Sequence, residues 1–355
     1  MAGIGLLERI LEKELKWNRA RIKFVARFIV ALIQVRTVNL VEIANVFEGW
    51  ALTESNYKRI QRFLRMFEMP YEGVAKCLVG LLGEPGPWVL TVDRTDWRLG
   101  KSPINILMLG IVYRGVAFPV VWKVLGKKGS SNTRERKELM QRFLKIFPEK
   151  SIWFVCGDRE FIGKGWIGWL KRKKINFRIR IRNNTQLTNW NGKIVTAKTL
   201  FADLPVQQGR AMAIAYKAFG ERVWVSGMRL ADGDYLIVVA PTGGGTALEE
   251  YALRWEIETL FGCLKSRGFR LEETHLLHPE RLEKLLVLVA FAFCWAHRIG
   301  EWLVEATPLK VKKHGRLARS IFRTGFDHLR RILCSFKGIR QLKALKQVAL
   351  ILSCT

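Results

Sequence analysis

The chain has 355 residues, enough for two domains or for one domain with insertions, and its hydrophobic fraction of 49% argues against global disorder. The 60 Lys and Arg residues against 31 Asp and Glu give a formal net charge of +29, which attracts polyanions, nucleic acid first among them. The six cysteines are scattered without a C-x-x-C pair, which argues against a disulfide framework or a zinc finger and suits reduced thiols in a cytoplasmic protein.

The N-terminal region is predicted to be helical and basic. Residues 5–36 have helical periodicity, and two further helical segments, "VNLVEIANVF" and "NYKRIQRFLRMF", flank a break that contains Gly49. The second segment carries Lys58, Arg59, Arg62 and Arg65. This order resembles a helix-turn-helix, so we expect Lys58, Arg59 and Arg62 to contact DNA. An amphipathic bundle with a solvated basic face remains the alternative.

A ribonuclease H-like core is predicted after the breaker "GEPGPW" at 83–88. Three successive strands are indicated by "WVLTVDRTDW" (88–97), "INILMLGIVYRG" (104–115) and "VAFPVVWKVLG" (116–126). They are followed by a helix at 131–148 capped by Ser131 or Asn132, the strand "SIWFVC" (151–156), the helix "KGWIGWLKRKK" and the strand "NFRIRIR". Strands in this order are typical of a ribonuclease H-like α/β fold with a mixed sheet.

The rest of the chain is predicted to contain a β-rich insertion and then mainly helices. The apolar run at 285–296 is too short to span a bilayer, which needs about 20 residues, so we expect a buried helix there and no membrane partner. We predict five parts: a helical DNA-binding domain (1–85), the first part of the core (86–183), the insertion (184–245), the second part of the core (246–300) and a basic C-terminal helical region (301–355).

Two carboxylates stand out because they follow strands that are neighbours in such a sheet. Asp93 lies in or at the end of the first strand, and Asp158 follows the fourth. A hard divalent cation between two carboxylates removes their repulsion, and a third carboxylate from a helix would complete a site for two Mg²⁺ ions. Asp96 competes with Asp93 but faces the other side of a continuing strand. A turn or cap role is the alternative for either aspartate.

The helix predicted at 251–265, "YALRWEIETLFGCLK", combines an apolar face with polar residues. At about 100° per residue, the polar residues Tyr251, Arg254, Glu258 and Lys265 fall in a stripe roughly 60° wide beside the apolar face. Glu256 falls on the opposite side, so helical phase selects Glu258 as the third carboxylate. Surface ion pairing is the alternative, since Arg254 and Glu258 form an i,i+4 pair.

The spacing Y-x2-R-x3-E-x6-K resembles the signature of DDE transposases of the insertion-sequence-4 family. The segments "VDRTDW" and "GDREF" are similar to those that carry the first two acidic residues of that family, and the basic stretch "KKHGRLARSIFR" (312–323) also fits its layout. The resemblance covers most of the chain. It implies that Asp93, Asp158 and Glu258 hold two Mg²⁺ or Mn²⁺ ions, while Tyr251, Arg254 and Lys265 contact phosphates near the cleaved end.

The resemblance also implies substrates, a partner and a hairpin intermediate. The DNA would be double-stranded, comprising the terminal inverted repeats of the transposon and a target, and a homodimer would hold two ends in a synaptic complex. In this family an aromatic side chain enters the duplex as a wedge and holds a flipped base. Trp224 is the first candidate for this side chain and Trp190 the second. A cytoplasmic, nucleoid-associated protein of a bacterium or archaeon is expected.

Two other functions stay open from the sequence. A ribonuclease H-like nuclease that cuts DNA without transposing would keep the three carboxylates but would not need Tyr251, Arg254 and Lys265 together. A catalytically inert, transposase-derived DNA-binding protein would have no use for the three carboxylates, and here all three are present.

Overall fold

The computed structural model describes residues 4–49, 51–313, 317–335 and 339–353. Trp50 in the predicted N-terminal break, and residues 314–316 in the predicted basic C-terminal stretch, lie outside the described residues.

The helices are α1 (Ile4–Glu14), α2 (Arg19–Val35), α3 (Leu40–Asn45), α4 (Thr53–Met66), α5 (Tyr71–Gly80), α6 (Thr133–Ile146), α7 (Lys164–Arg172), α8 (Ala247–Ala252), α9 (Trp255–Leu264), α10 (Pro279–Ala306), α11 (Ile321–Cys334) and α12 (Ile339–Leu352).

The strands all lie between α5 and α8. They are β1 (Trp88–Leu99), β2 (Ser102–Tyr113), β3 (Val116–Val124), β4 (Ile152–Gly157), β5 (Phe177–Ile181), β6 (Gln186–Thr188), β7 (Ile194–Thr196), β8 (Gly209–Ala211), β9 (Tyr216–Ala218), β10 (Glu221–Arg229) and β11 (Tyr235–Ala240). The chain forms two compact units. One comprises Met1–Glu84, Asp96–Ile104 and Leu260–Thr355, and the other comprises Pro85–Thr95 and Asn105–Thr259.

The sheet confirms the predicted ribonuclease H-like fold class. Its first five strands lie in the order β3-β2-β1-β4-β5. β1 pairs parallel with β4 and β4 pairs parallel with β5, whereas β2 and β3 pair antiparallel. The meander of three strands, followed by strands that alternate with helices, is therefore present as the sequence pattern indicated. Helix α6 begins with a capping box in which Asn132, one of the two predicted caps, accepts the Glu135 backbone N–H.

The β-rich insertion continues the same sheet. β11 pairs antiparallel with β5 on one side and with β10 on the other, so the insertion strands extend the core sheet beyond β5. The remaining strands follow β10 in the order β9-β6-β7, and β8 also pairs with β10. Periodicity predicted the strands of the insertion, but it carries no information about the edge against which they pair.

The mainly helical unit is built around α10. This helix contains the apolar run at 285–296, every residue of which is buried, so the predicted buried helix is confirmed. It packs against α2, α4, α5, α11 and α12. No helix among the described residues has the length and apolarity needed to cross a membrane.

Helices α10 and α11 approach each other closely at two glycines. A Cβ atom added at Gly325 would lie 1.9 Å from the carbonyl oxygen of Ala296, and one added at Gly300 would lie 2.0 Å from that of Ile321. Backbone atoms cannot move aside as a flexible side chain does. The absence of side chains at Gly300 and Gly325 is therefore what allows the two helices to pack at this distance.

We expect Gly325→Ala to lower the midpoint of thermal unfolding, because the added methyl group overpacks the contact between α10 and α11 at a cost of about 1–3 kcal/mol or more. Gly73→Ala is the matched control, since Gly73 is also helical and a Cβ there would meet nothing within 4 Å. That variant should be unchanged or more stable by up to about 1 kcal/mol. Equal midpoints for the two variants in differential scanning fluorimetry would contradict the close contact.

Candidate active site

The parallel register of β1 and β4 brings Asp93 and Asp158 to the same level of the sheet. Val92 and Gly157 are the last registered partners of the two strands, and the two aspartates are the next residue on each chain segment. β4 ends at Gly157, just before Asp158, whereas β1 continues past Asp93 to Leu99, so Asp93 lies inside its strand at the level where β4 ends. The two candidate residues therefore end up side by side although 65 residues separate them in sequence.

The pKa of the Asp93 carboxyl group depends on its burial and on the charges of its neighbours. The pKa of Asp93 is raised to about 7, mainly by burial and in addition by the carboxylates of Asp158 and Glu258. The Arg94 backbone N–H, which donates to Asp93 Oδ1 at 2.7 Å, and the Arg254 guanidinium act in the opposite direction. These opposing effects show that three carboxylates and one cation form a single electrostatic cluster.

The predicted unbroken helix at 251–265 is wrong. Helix α8 ends at Ala252 and helix α9 begins at Trp255, so Leu253 and Arg254 form a turn between two helices. The Leu253 N–H bonds to Glu250 O at 3.3 Å and the Arg254 N–H bonds to Tyr251 O at 3.0 Å, which are i→i+3 bonds. Such a turn has about three residues instead of 3.6, so a phase of 100° per residue does not carry across the break. Residues three apart are eclipsed there, which places Arg254 over the Tyr251 ring.

Arg254 lies between two of the candidate carboxylates. Its Nη1 is 3.3 Å from Asp93 Oδ2, and its Nη2 donates to Glu258 Oε1 at 2.7 Å. The residue is 5% exposed and its guanidinium stacks over the Trp255 ring at 4.4 Å. The side chain that was predicted to lie in a polar edge stripe is thus a buried cation that offsets the repulsion between Asp93 and Glu258.

The two glutamates of α9 have opposite environments. Glu258 is exposed and reaches only the Arg254 guanidinium among the hydrogen bonds described. Glu256 is partly buried and accepts the Tyr113 backbone N–H at 3.0 Å, beside the turn between β2 and β3. Burial raises its pKa to about 7. The helical phase that separated Glu258 from Glu256 holds within α9, because both residues belong to this continuous helix.

The other two residues of the predicted stripe have different surroundings. Tyr251 is 2% exposed, and burial raises its pKa to about 12. Lys265 belongs to the mainly helical unit. There its ammonium contacts Glu272 Oε1 at 3.0 Å and Asp96 O at 3.3 Å, and it lies over the Trp97 ring at 5.3 Å. Asp93, Tyr251, Arg254 and Glu258 are therefore brought together, whereas Lys265 contributes to a cluster of its own.

The predicted DNA-contacting residues outside this cluster are accessible to different degrees. Lys58, Arg59 and Arg62 are all exposed on α4, while Ile60 on the same helix is buried. Trp224 is half-buried in β10, with its indole against Gly243. Trp190 is 82% exposed in the turn between β6 and β7.

A polar network that was not predicted from the sequence lies beside the two aspartates. Arg94 follows Asp93 and forms an ion pair with Glu160, which is two residues after Asp158, at 3.1 Å. The available signal was an acidic residue so close to Asp158 in a chain with 31 acidic against 60 basic residues. Residue spacing alone could not reveal that the Arg94 side chain reaches Glu160 in the turn after β4.

Comparison with known proteins identifies the family of this chain. The family model for the transposase DDE domain matches residues 84–295, which is more than half of the chain. The chain belongs to this family. A cryo-EM structure of a piggyBac transposase synaptic complex with hairpin DNA is similar to it with a TM-score of 0.44 and 12% sequence identity, over 98% of this chain and 84% of that one. No curated protein matches the chain.

DDE domains generally depend on divalent metal ions, and the donor chemistry of this site fits such ions. Asp93, Asp158 and Glu258 offer the hard oxygen ligands that Mg²⁺ and Mn²⁺ prefer. The pKa of Asp93 is raised mainly by burial and further by the Asp158 and Glu258 carboxylates, and a bound cation would act against both effects. Among the described residues no group of three His, Cys, Asp or Glu side chains is arranged to hold a metal ion, and Arg254 lies between Asp93 and Glu258.

We expect Arg254→Gln to lower the midpoint of thermal unfolding by an amount that corresponds to about 3 kcal/mol, because it leaves buried carboxylate charge without its counterion. Arg134→Gln is the control. Arg134 forms the same i,i+4 pair with Glu138, but its side chain is 88% exposed, and such a pair contributes about 0–1 kcal/mol. Circular dichroism melts at one pH and salt concentration compare the two. Equal shifts would show that Arg254 does not stabilise the carboxylate cluster.

Proposed function

We propose that this member of the transposase DDE domain family is an insertion-sequence-4-type transposase. It would cleave the ends of its element and transfer the freed 3′-hydroxyl strand to target DNA. The observation that carries the proposal is the placement of Asp93 in β1 beside Asp158, which follows the paired strand β4, with Glu258 joined to Asp93 through Arg254. Tyr251, Arg254, Glu258 and Lys265 also keep the Y-x2-R-x3-E-x6-K spacing.

The three carboxylates would hold the metal ions of the reaction. When bound, two Mg²⁺ or Mn²⁺ ions would supply Lewis acidity and lower the pKa of the attacking group. Arg254 contacts two of the three carboxylates, those of Asp93 and Glu258, and would offset negative charge in a site that has to admit phosphates. Lys265 would also offset phosphate charge. Tyr251 would help to position Arg254, because the guanidinium lies over the Tyr251 ring.

The DNA partners of the proposal are the terminal inverted repeats and a target duplex. A net charge of +29 favours binding to a polyanion of either kind. The exposed Lys58, Arg59 and Arg62 on α4 support assignment of residues 1–85 as a DNA-binding domain. Because two ends of one element have to be cut and joined together, we extend the proposal to a homodimer on DNA.

The most detailed part of the proposal is that the reaction passes through a DNA hairpin intermediate. It requires an aromatic side chain that can enter the duplex where a base has flipped out. Both Trp224 and Trp190 lie in the insertion. The exposure of Trp190 favours it for this role, since Trp224 already packs against Gly243.

The proposal predicts which carboxylates matter for cleavage. Asp93→Asn, Asp158→Asn and Glu258→Gln should abolish metal-dependent nicking of DNA that carries the element's ends, because each removes a ligand charge, while DNA binding persists. The matched neighbours Asp96→Asn and Glu256→Gln should keep cleaving, since an amide oxygen at position 256 can still accept the Tyr113 N–H.

Denaturing gels separate nicked, hairpin-ended and strand-transfer products, and gel shifts measure DNA binding in parallel. Full cleavage by Glu258→Gln would overturn the assignment of the third carboxylate. Cleavage by the wild type without strand transfer would indicate a nuclease that does not transpose. DNA binding without any cleavage in Mg²⁺ or Mn²⁺ would indicate an inert, transposase-derived DNA-binding protein.

The role of α4 predicts a specific salt dependence. Arg62→Ala should weaken DNA binding and reduce the slope of log K against log salt concentration by about 0.9, because one phosphate contact is lost. Lys150→Ala removes an equal charge from an exposed position in the other unit and should leave the slope unchanged. Fluorescence anisotropy across a salt series measures both. An identical slope change in the two variants would mean that α4 acts only through net charge.

A further inference from the structure

Each of the two aspartate carboxylates accepts a hydrogen bond from the backbone N–H of a residue that follows it by one or two positions in the chain. The Arg94 N–H donates to Asp93 Oδ1 at 2.7 Å, and the Glu160 N–H donates to Asp158 Oδ1 at 2.8 Å. A hydrogen bond from a fixed backbone donor sets the direction in which a carboxylate points. The orientation of Asp93 therefore depends on Arg94, and that of Asp158 depends on Glu160.

The side chains of these same two donor residues are joined to each other. Arg94 Nε lies 3.1 Å from Glu160 Oε2 and 3.2 Å from Oε1. Their side chains are only 15% and 13% exposed, so solvent screens this pair weakly. The Arg94–Glu160 bridge thus links the residue that orients one aspartate to the residue that orients the other.

Both ends of the bridge are tied to further polar groups. Glu160 Oε1 also accepts the Ser131 N–H at 2.8 Å and the Ser131 hydroxyl at 2.9 Å. Arg136 donates to Ser131 Oγ at 2.9 Å and to Ile162 O at 3.0 Å. At the other end, Arg94 Nη1 donates to Asn105 Oδ1 at 3.2 Å.

This network fixes the turn after β4 from two directions. Arg136 is buried on α6 and its guanidinium stacks over the Phe161 ring at 5.2 Å. Because it bonds to both Ser131 and Ile162, the start of α6 and the turn that follows Asp158 cannot shift independently. The Glu160 carboxylate is the group that connects this turn to β1.

We propose that the Arg94–Glu160 bridge is a positioning device that holds the Asp93 and Asp158 carboxylates in the relative orientation needed to bind metal ions. This inference rests on the proposed function, in which the two aspartates are ligands, but it assigns new roles to Arg94, Glu160 and Ser131. None of these three residues has to touch metal or DNA. They act through the two backbone N–H groups, which the bridge keeps at a fixed separation.

The test is a double-mutant cycle of Arg94→Gln, Glu160→Gln and the double variant. Each single variant should raise the dissociation constant for Mn²⁺, measured by calorimetry on the full chain without DNA, by about 10–100-fold, the range typical for groups that orient metal ligands. The double variant should be no weaker than the weaker single variant, because both substitutions break the same bridge. Additive losses would overturn the bridge as the cause.

Hydrogen exchange tests the device without metal or DNA. Peptides covering residues 93–95 and 158–162 should exchange faster in Glu160→Gln, because the two backbone donors lose their shared support. Unchanged exchange in both segments would overturn the proposal. Glu138→Gln is the matched control, since it breaks another partly buried ion pair, between Glu138 on α6 and Lys123 on β3. It should leave exchange in these two peptides and Mn²⁺ affinity as in the wild type.

The experiment separates this proposal from the proposed function. If the wild type cleaves no element ends, the function fails, while exchange still decides whether the bridge orients the two segments. If the wild type cleaves and Glu160→Gln cleaves equally well with unchanged Mn²⁺ affinity, the function stands and the bridge has no positioning role. A matched thermal melt excludes a general loss of folding in each variant.

Discussion

The repulsion between Asp93 and Asp158 is the constraint on which the rest of the site depends. Parallel pairing of β1 with β4, in a register that ends at Val92 and Gly157, makes the two carboxylates neighbours. Like charges this close, in partly buried positions, destabilise the folded chain unless other groups compensate them. Several groups lie around the two aspartates: backbone N–H donors from Arg94 and Glu160, the ion pair between the side chains of the same two residues, and the buried guanidinium of Arg254.

Arg254 and the Arg94–Glu160 bridge compensate this cost in different ways. Arg254 adds positive charge between Asp93 and Glu258, so it acts on the sum of the charges in the cluster. The Arg94–Glu160 bridge has no net charge, and its contribution is to the orientation of the Asp93 and Asp158 carboxylates. A site for highly charged ligands needs both contributions, because neutralisation without orientation leaves the carboxylates free to turn away, and orientation without neutralisation leaves their repulsion in place.

The sequence was sufficient for those features that depend on local periodicity. The period of two predicted the strands of the core, the strand order identified Asp93 and Asp158 as neighbours, and helical phase separated Glu258 from Glu256. It was not sufficient where a tertiary contact decides the outcome. The break at Leu253 and Arg254 follows from i→i+3 bonds that a 100° wheel cannot anticipate. The burial of Tyr251 and Arg254, and the reach of Glu160 to Arg94, depend on which elements pack together.

The pairing of β11 with β5 gives the insertion a second role besides any contact with DNA. Without β11, the outer edge of β5 would present a row of unpaired N–H and C=O groups, the kind of edge on which other chains add as strands. The insertion therefore covers the edge of the core sheet at which other chains could add as strands. It cannot be treated as a removable module, and a smaller version of this core would need a different cover for that strand.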